Sequence, residues 1–292
     1  MNKISKSVKS YLSFVKFSHT VFAMPFALIG FFMAVNEPGH SLSILLLLKV
    51  ILCMVFARNA AMGFNRYADN RFDKLNPRTA AREIPMGIIS TSAALIFVII
   101  NALGFIITAS FINNLTLCLS PVALLVILGY SLTKRITVLC HFILGLGLSL
   151  APIGAYISVT GEFSLLPVIF SIIVLTWVSG FDIIYALQDD EFDTTNNLYS
   201  IPSKAGRENA LKISVLIHLV TLILVVTGGI AGNFGLLFWV GATIFSTLLV
   251  YQHVLVNPKD LSRVNIAFAT TNGIASIIFS IFVIFDMYIR LK

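Results

Sequence analysis

WVSGFDIIYALQDDEFD (residues 177–193) begins as an apolar helix and ends as a row of carboxylates. On a 3.6-residue helix, Asp182, Tyr185, Asp189 and Asp193, spaced three, four and four apart, form one stripe. Asp182 sits among apolar neighbours at membrane depth, where an ionisable side chain is costly and marks a functional site. A second run, NRYADNRFD (65–73), closes an earlier apolar segment and sets Asn65, Asp69 and Asp73 four apart. Only 13 of the 292 residues are acidic and seven of them fall in these two runs, so the carboxylates are concentrated rather than spread for solubility.

The rest of the chain is 58% hydrophobic and 11% charged, with a mean hydropathy of +0.94. That balance excludes a soluble domain of this length. The apolar residues come in blocks of about twenty, the length that spans a bilayer as helix. They do not alternate as the strands of a membrane barrel would. Nine segments are read, at approximately 14–35, 42–64, 88–108, 115–132, 138–157, 165–186, 212–230, 234–252 and 266–288. The expectation is an all-α, polytopic membrane protein with nine transmembrane helices, and residues 1–292 form a single membrane-embedded domain. Pro121 and Pro152 fall inside helices, where a break is tolerated if it faces protein. Cys53, Cys118 and Cys140 have no metal-ligand or redox spacing and read as small buried residues.

The loops alternate in charge. The N-terminal stretch (Lys3, Lys6, Lys9, Lys16) and the stretches at 65–87, 133–137, 187–211 and 253–265 hold, with Arg58 and Lys212, 17 of the 20 basic residues. The positive-inside bias therefore places the N-terminus and both acidic ladders in the cytoplasm, and an odd helix count places the C-terminus outside. The net charge of +7 is explained by this asymmetry, so no nucleic-acid partner is inferred. No obligate protein partner is inferred either. Lys49, near the outer end of the second segment, is read as snorkelling.

Like charges four apart repel on an isolated helix, so something positive must sit opposite them. Mg²⁺ fits, because it prefers oxygen ligands and is held by one or two carboxylates together with substrate phosphates. Asn65, Asp69 and Asp73 are one candidate metal set and Asp189 with Asp193 the other; Asp190 and Glu191 lie off the stripe. Arg78 and Arg82, four apart, suit phosphate oxygens. Ser200, Ser203, Lys204 and Arg207 after the second ladder read as a phosphate-facing loop, and Lys134 with Arg135 adds a third basic group. Arg58, seven residues before Asn65 and on its stripe, lies well inside a helix. His19 is a polar residue among apolar neighbours and reads as a packing or hydrogen-bonding side chain.

At its two ladders the chain resembles the intramembrane aromatic prenyltransferases of the UbiA superfamily, which carry an Asn/Asp-rich motif after the second of nine helices and an Asp-rich motif after the sixth. The resemblance covers essentially the whole chain. It implies a polyprenyl diphosphate donor, a small aromatic acid as acceptor, membrane lipid as surroundings and Mg²⁺ as cofactor. Asn65, Asp69 and Asp73 would hold one ion, and Asp189 and Asp193 the second. Arg78, Arg82, Lys134 and Lys204 would contact the diphosphate, Lys134 foremost. The opening FVKFSHTVFAMPFALIG (14–30) looks like the bacterial 4-hydroxybenzoate polyprenyltransferase group, especially members in quinone pathways other than ubiquinone, including the futalosine route to menaquinone. It lacks the Arg-Pro pair that opens the first helix of the proteobacterial ubiquinone enzymes, which leaves the aromatic acid open between 4-hydroxybenzoate and a dihydroxynaphthoate. The implied location is the bacterial inner membrane.

The implied reaction is electrophilic aromatic C-prenylation in quinone biosynthesis. Lys134 stabilises the leaving diphosphate, Arg58 takes the acceptor carboxylate, Asp182 acts as base or cation stabiliser, and Tyr185 orients it. An ion-coupled transporter is the competing class. Such proteins place their ion sites near the midplane on broken helices, whereas both ladders here lie towards one surface.

Overall fold

The computed structural model describes residues 11, 13–15 and 23–290; Lys3, Lys6, Lys9, Lys16, His19 and Lys292 lie outside the described residues. The long elements are all helical: α1 (Met24–Val35), α2 (Ile44–Ala68), a short α3 (Asn70–Leu75), α4 (Thr91–Ser110), α5 (Asn114–Thr133), α6 (Cys140–Thr160) and α7 (Leu165–Ala186). A 3₁₀ turn (Leu187–Asp189) leads into the short α8 (Asp190–Thr195) and α9 (Ile201–Ala205), followed by α10 (Arg207–Ala231), α11 (Leu236–Leu255) and α12 (Asn272–Arg290). Among the described residues, eight helices are long and apolar enough to cross a membrane. The described part of the first segment, α1, has 12 residues and is shorter than a full span. The other eight predicted segments each coincide with one of the eight.

Local chemistry sets the helix ends. Ser43, Ser90 and Asn113 accept from backbone N–H groups three residues on and start α2, α4 and α5. Gly161 closes α6 at φ +72°, a backbone that suits glycine. Pro121 turns out to lie on an exposed face rather than against protein. A proline at 121 cannot bond the carbonyl of Leu117, and the neighbouring Ser120 hydroxyl donates to that oxygen instead, at 2.8 Å. Pro152 is buried, and α1 crosses so near it that a Cβ on Gly30 would stand 2.0 Å from its carbonyl oxygen.

Helix α7 runs through the centre, between α6 and α10. Its Trp177 is fully buried among Phe26, Phe181 and Phe245. Lipid tails are as apolar as these side chains, so close packing and interhelical hydrogen bonds carry the association. Trp177 Nε1 donates to Asn272 Oδ1 (3.0 Å), Thr221 Oγ1 donates to Thr176 (2.9 Å), and Ser280 Oγ donates to the Pro25 carbonyl (2.8 Å). Lys49, read as snorkelling, donates to the Phe111 carbonyl at 2.6 Å and ties α2 to the end of α4. The three cysteines are unpaired; Cys118 is exposed, contrary to the expectation that all three are buried.

Candidate active site

Both ladders end on one side of the bundle and face one cavity of about 270 Å³. Helix α2 stops at Ala68, but the backbone bonds Asp69 N to Asn65 O (2.9 Å) and Asp73 N to Asp69 O (2.8 Å) carry the four-residue repeat across the break. Asn65, Asp69 and Asp73 therefore line the same wall. Asp182, Tyr185, Asp189 and Asp193 line the facing wall even though the 3₁₀ turn interrupts the helix between them. Asp190 and Glu191 turn away and are clamped by Arg207 (2.6 and 2.9 Å). Arg207 is thus engaged with these acids and stands outside the cavity wall.

Each ladder acid meets a cation. Arg135 Nη2 donates to Asp69 Oδ1 (3.1 Å), Arg82 Nη1 to Asp73 (2.7 Å), and Lys134 Nζ stands 2.8 Å from Asp193 Oδ1. Arg78 forks onto Asp189, with Nε donating to Oδ1 at 2.9 Å and Nη2 to Oδ2. Asn76 Nδ2 also donates to Asp189 Oδ1 (2.9 Å), so the loop after the first ladder reaches the second. Burial pushes the Asp69 carboxyl above its ordinary range, and the Arg135 bond offsets only part of that. Burial works against the charge on Lys134 and on Arg78, but Asp193 and Asp189 outweigh it and hold both groups above their ordinary ranges.

Among the described residues no three His, Cys, Asp or Glu side chains stand together as a ready metal cage. The donor set nevertheless suits Mg²⁺. Four carboxylates and the amide of Asn65 line one cavity, and Asn65 uses its NH₂ end on Asp69 Oδ2 (3.1 Å), leaving the oxygen end for a cation. The arginines and the lysine that neutralise these carboxylates are also of the kind that suits phosphate oxygens.

Two expected residues go elsewhere. Ser203 is engaged in a capping box with Ser200 at the start of α9, where its hydroxyl accepts from Ser200 N and donates to the Ser200 carbonyl. Lys204 lies 4.6 Å over the Tyr199 ring, and neither residue is part of the cavity wall. Tyr185 lines the cavity, but its hydroxyl accepts from Arg78 Nη1 (2.9 Å) and its ring packs, tilted, against Phe268. The side chain that bonds Asp182 is His141, with Nδ1 2.7 Å from Oδ2. Sequence reading did not single out His141, Asn76 or Tyr130. For Tyr130 the signal was present, since it lies four residues before Lys134 on the same helix face.

Arg58 lies deeper, where the polar cavity meets an apolar groove of about 310 Å³ between α2, α5 and α6. Arg58, Tyr130, Leu144 and Leu148 belong to both. The site thus joins a charged chamber to a greasy channel.

A family model described as the UbiA prenyltransferase family matches residues 23–278. A 4-hydroxybenzoate octaprenyltransferase of Aliivibrio salmonicida is 31% identical over 234 residues, 80% of this chain and 81% of that protein. One from Nitrosospira multiformis is 30% identical over 235 residues, with the same coverage of each chain. The apo structure of a UbiA homolog from Aeropyrum pernix K1 superposes with a TM-score of 0.79 at 26% identity, covering 94% of this chain and 98% of that one. A UbiA homolog from Archaeoglobus fulgidus, bound to DMAPP and Mg²⁺, has the same fold, with a TM-score of 0.74 at 20% identity and coverage of 96% and 99%. With the family model spanning most of its length, this chain belongs to the UbiA prenyltransferase family.

Proposed function

We propose that the protein transfers a polyprenyl group from polyprenyl diphosphate to an aromatic hydroxy acid of the 4-hydroxybenzoate type, with Mg²⁺, as a step in quinone biosynthesis. The observation that carries this is the junction at Arg58 and Tyr130 of a carboxylate-and-arginine chamber with an apolar groove. A diphosphate needs the first and an isoprenoid tail the second. The relatives named as 4-hydroxybenzoate octaprenyltransferases support this acceptor class, and the Archaeoglobus homolog's DMAPP and Mg²⁺ support the donor and metal. On this reading the whole chain works as one unit in a bacterial inner membrane, with the ladders towards the cytoplasm.

Asn65, Asp69 and Asp73 would hold one ion, and Asp189 and Asp193 the other. Mg²⁺, when bound, neutralises the diphosphate and makes it a better leaving group. Arg78, Arg82 and Lys134, released from the carboxylates, donate to the diphosphate oxygens as charge builds there. The apolar groove keeps water from the allylic cation at C1 of the chain. Arg58, at the junction, pairs with the acceptor carboxylate and turns the ring carbon ortho to the phenolic hydroxyl towards C1. Asp182, on the opposite wall, takes the proton that the ring loses.

Incubating the detergent-purified protein with Mg²⁺, labelled polyprenyl diphosphate and, in parallel, 4-hydroxybenzoate or dihydroxynaphthoates tests the proposal. A C-prenylated 4-hydroxybenzoate is expected. Product from a naphthoate alone would move the acceptor to menaquinone chemistry, and diphosphate release with no aromatic product would refute the assignment.

A further inference from the structure

The four ladder carboxylates each face an arginine or lysine, and Asp182 does not. Its partner is His141, 2% exposed, whose Nδ1 lies 2.7 Å from Asp182 Oδ2. The other ring nitrogen, Nε2, accepts from the backbone N–H of Ile201 at 3.2 Å. A backbone amide can only donate, so Nε2 presents its lone pair. The single proton of a neutral imidazole then sits on Nδ1 and points at Asp182; this tautomer follows from the hydrogen-bond network. Asp182 is thereby oriented by a donor that brings no net charge. It remains the one cavity aspartate among the described residues with no arginine or lysine beside it.

The anchor for His141 is itself fixed to the second ladder. Ile201 follows Ser200, whose hydroxyl donates to Asp193 Oδ2 at 3.0 Å, and Tyr199 N donates to the Lys134 carbonyl at 2.7 Å. Cys140 Sγ lies 3.4 Å from the Tyr199 carbonyl, which holds the first turn of α6 to the same strand of chain. A chain of contacts from Asp193 through Ser200 and Ile201 thus reaches His141 and, through it, Asp182.

We propose that His141 is a positioning residue that holds Asp182 as an oriented, unneutralised carboxylate for removal of the ring proton. The inference rests on the prenyl-transfer reading above. In the step itself the C1–O bond of the donor breaks and its electron pair leaves with the diphosphate. An aromatic π pair forms the new bond to C1, the ring C–H pair restores aromaticity, and the proton passes to Asp182. Asp182, a fifth exposed at its side chain, then releases it to solvent through the cavity. His141 keeps its own proton throughout.

Two measurements test this, and the first needs no substrate. In full-length protein labelled with ¹⁵N-histidine, His141, assigned by comparison with His141→Asn, should appear at neutral pH as the Nδ1–H neutral tautomer. An imidazolium or an Nε2–H tautomer would overturn the proposal. The second uses polyprenyl diphosphate, Mg²⁺ and 4-hydroxybenzoate deuterated ortho to the hydroxyl. Wild type should show no isotope effect on turnover, because ring deprotonation follows bond formation quickly. His141→Leu should lower kcat more than about tenfold with little change in either KM, and a normal isotope effect should appear as proton removal becomes limiting. His141→Asn, whose side-chain amide can stand in for Nδ1–H, should restore much of the rate. A kcat loss in His141→Leu with no isotope effect, or no loss at all, would refute the role. If wild type itself forms no product, the acceptor assignment fails while the tautomer measurement still decides the positioning.

Discussion

Arg78→Met removes a guanidinium that makes three hydrogen bonds, two to Asp189 and one to Tyr185. Asp189 is buried, and after the substitution it keeps its hydrogen bond from Asn76. Breaking a buried ion pair by deleting one member costs about 3–5 kcal/mol. Arg78 is 29% exposed at its side chain, and solvent screening brings the expected loss down to about 2–3 kcal/mol. For a chain of this size that corresponds to a fall of about 5 °C in the midpoint of thermal unfolding. Mg²⁺ should reverse the loss. On the proposed metal assignment it would bind the carboxylate that the arginine had neutralised, and a ligand at a hundred times its dissociation constant stabilises by about 2.7 kcal/mol. Thermal unfolding in detergent, without prenyl diphosphate, measures both effects. Wild type should gain little from Mg²⁺ alone, because Arg78 competes for Asp189, whereas Arg78→Met should recover most of its deficit. Equal Mg²⁺ stabilisation of both proteins, or a deficit that no Mg²⁺ concentration repairs, would refute the idea that the arginine holds the metal's place.

Asp69→Asn and Asp189→Asn should each cut prenyl-transfer turnover by more than about tenfold while the protein still elutes as folded in size-exclusion chromatography; wild-type turnover in both would remove the metal assignment. The raised pKa of Asp69 means that its carboxyl takes up a proton at a higher pH than the ordinary 3.8, and a protonated carboxyl is a poor Mg²⁺ ligand. Mg²⁺ affinity measured calorimetrically should therefore weaken as pH falls, starting above the normal aspartate range, and in Asp69→Asn that part of the pH dependence should vanish. Arg58→Gln should raise KM for the aromatic acid by about tenfold or more with KM for the prenyl diphosphate nearly unchanged; initial-rate kinetics in each substrate would show whether the larger effect falls on the donor instead.

Periodicity made the ladders legible. The spacing of Asn65, Asp69 and Asp73 survived a helix break because the i to i−4 backbone bonds continued through it. Asp189 and Asp193 reached the cavity despite a 3₁₀ turn. The partners of these acids were not legible, because they come from other helices. His141 meets Asp182 from 41 positions away, and Asn76 meets Asp189 from 113. Ser203 lies off the cavity wall: phosphate-facing loops and helix N-termini use the same small hydroxyl residues, and here its hydroxyl is engaged in a capping box. Tyr185 was placed beside Asp182 correctly in sequence register, but a helical stripe sets only which wall a side chain faces. Arg78, arriving from another part of the fold, claimed its hydroxyl.

The bond between Ser280 and the Pro25 carbonyl spans 255 positions and makes α1 and α12 neighbours. During synthesis the ladders and most of the cavity wall have emerged by residue 198, yet the flank of α1 that α12 will cover remains against lipid until the last spanning helix is inserted. Phe268, which lines the cavity and lies just before α12, arrives with it. Closure of this bundle therefore brings α12 back onto α1, and a nascent chain stalled before residue 266 would hold every aspartate and arginine of the site in a ring that is still open.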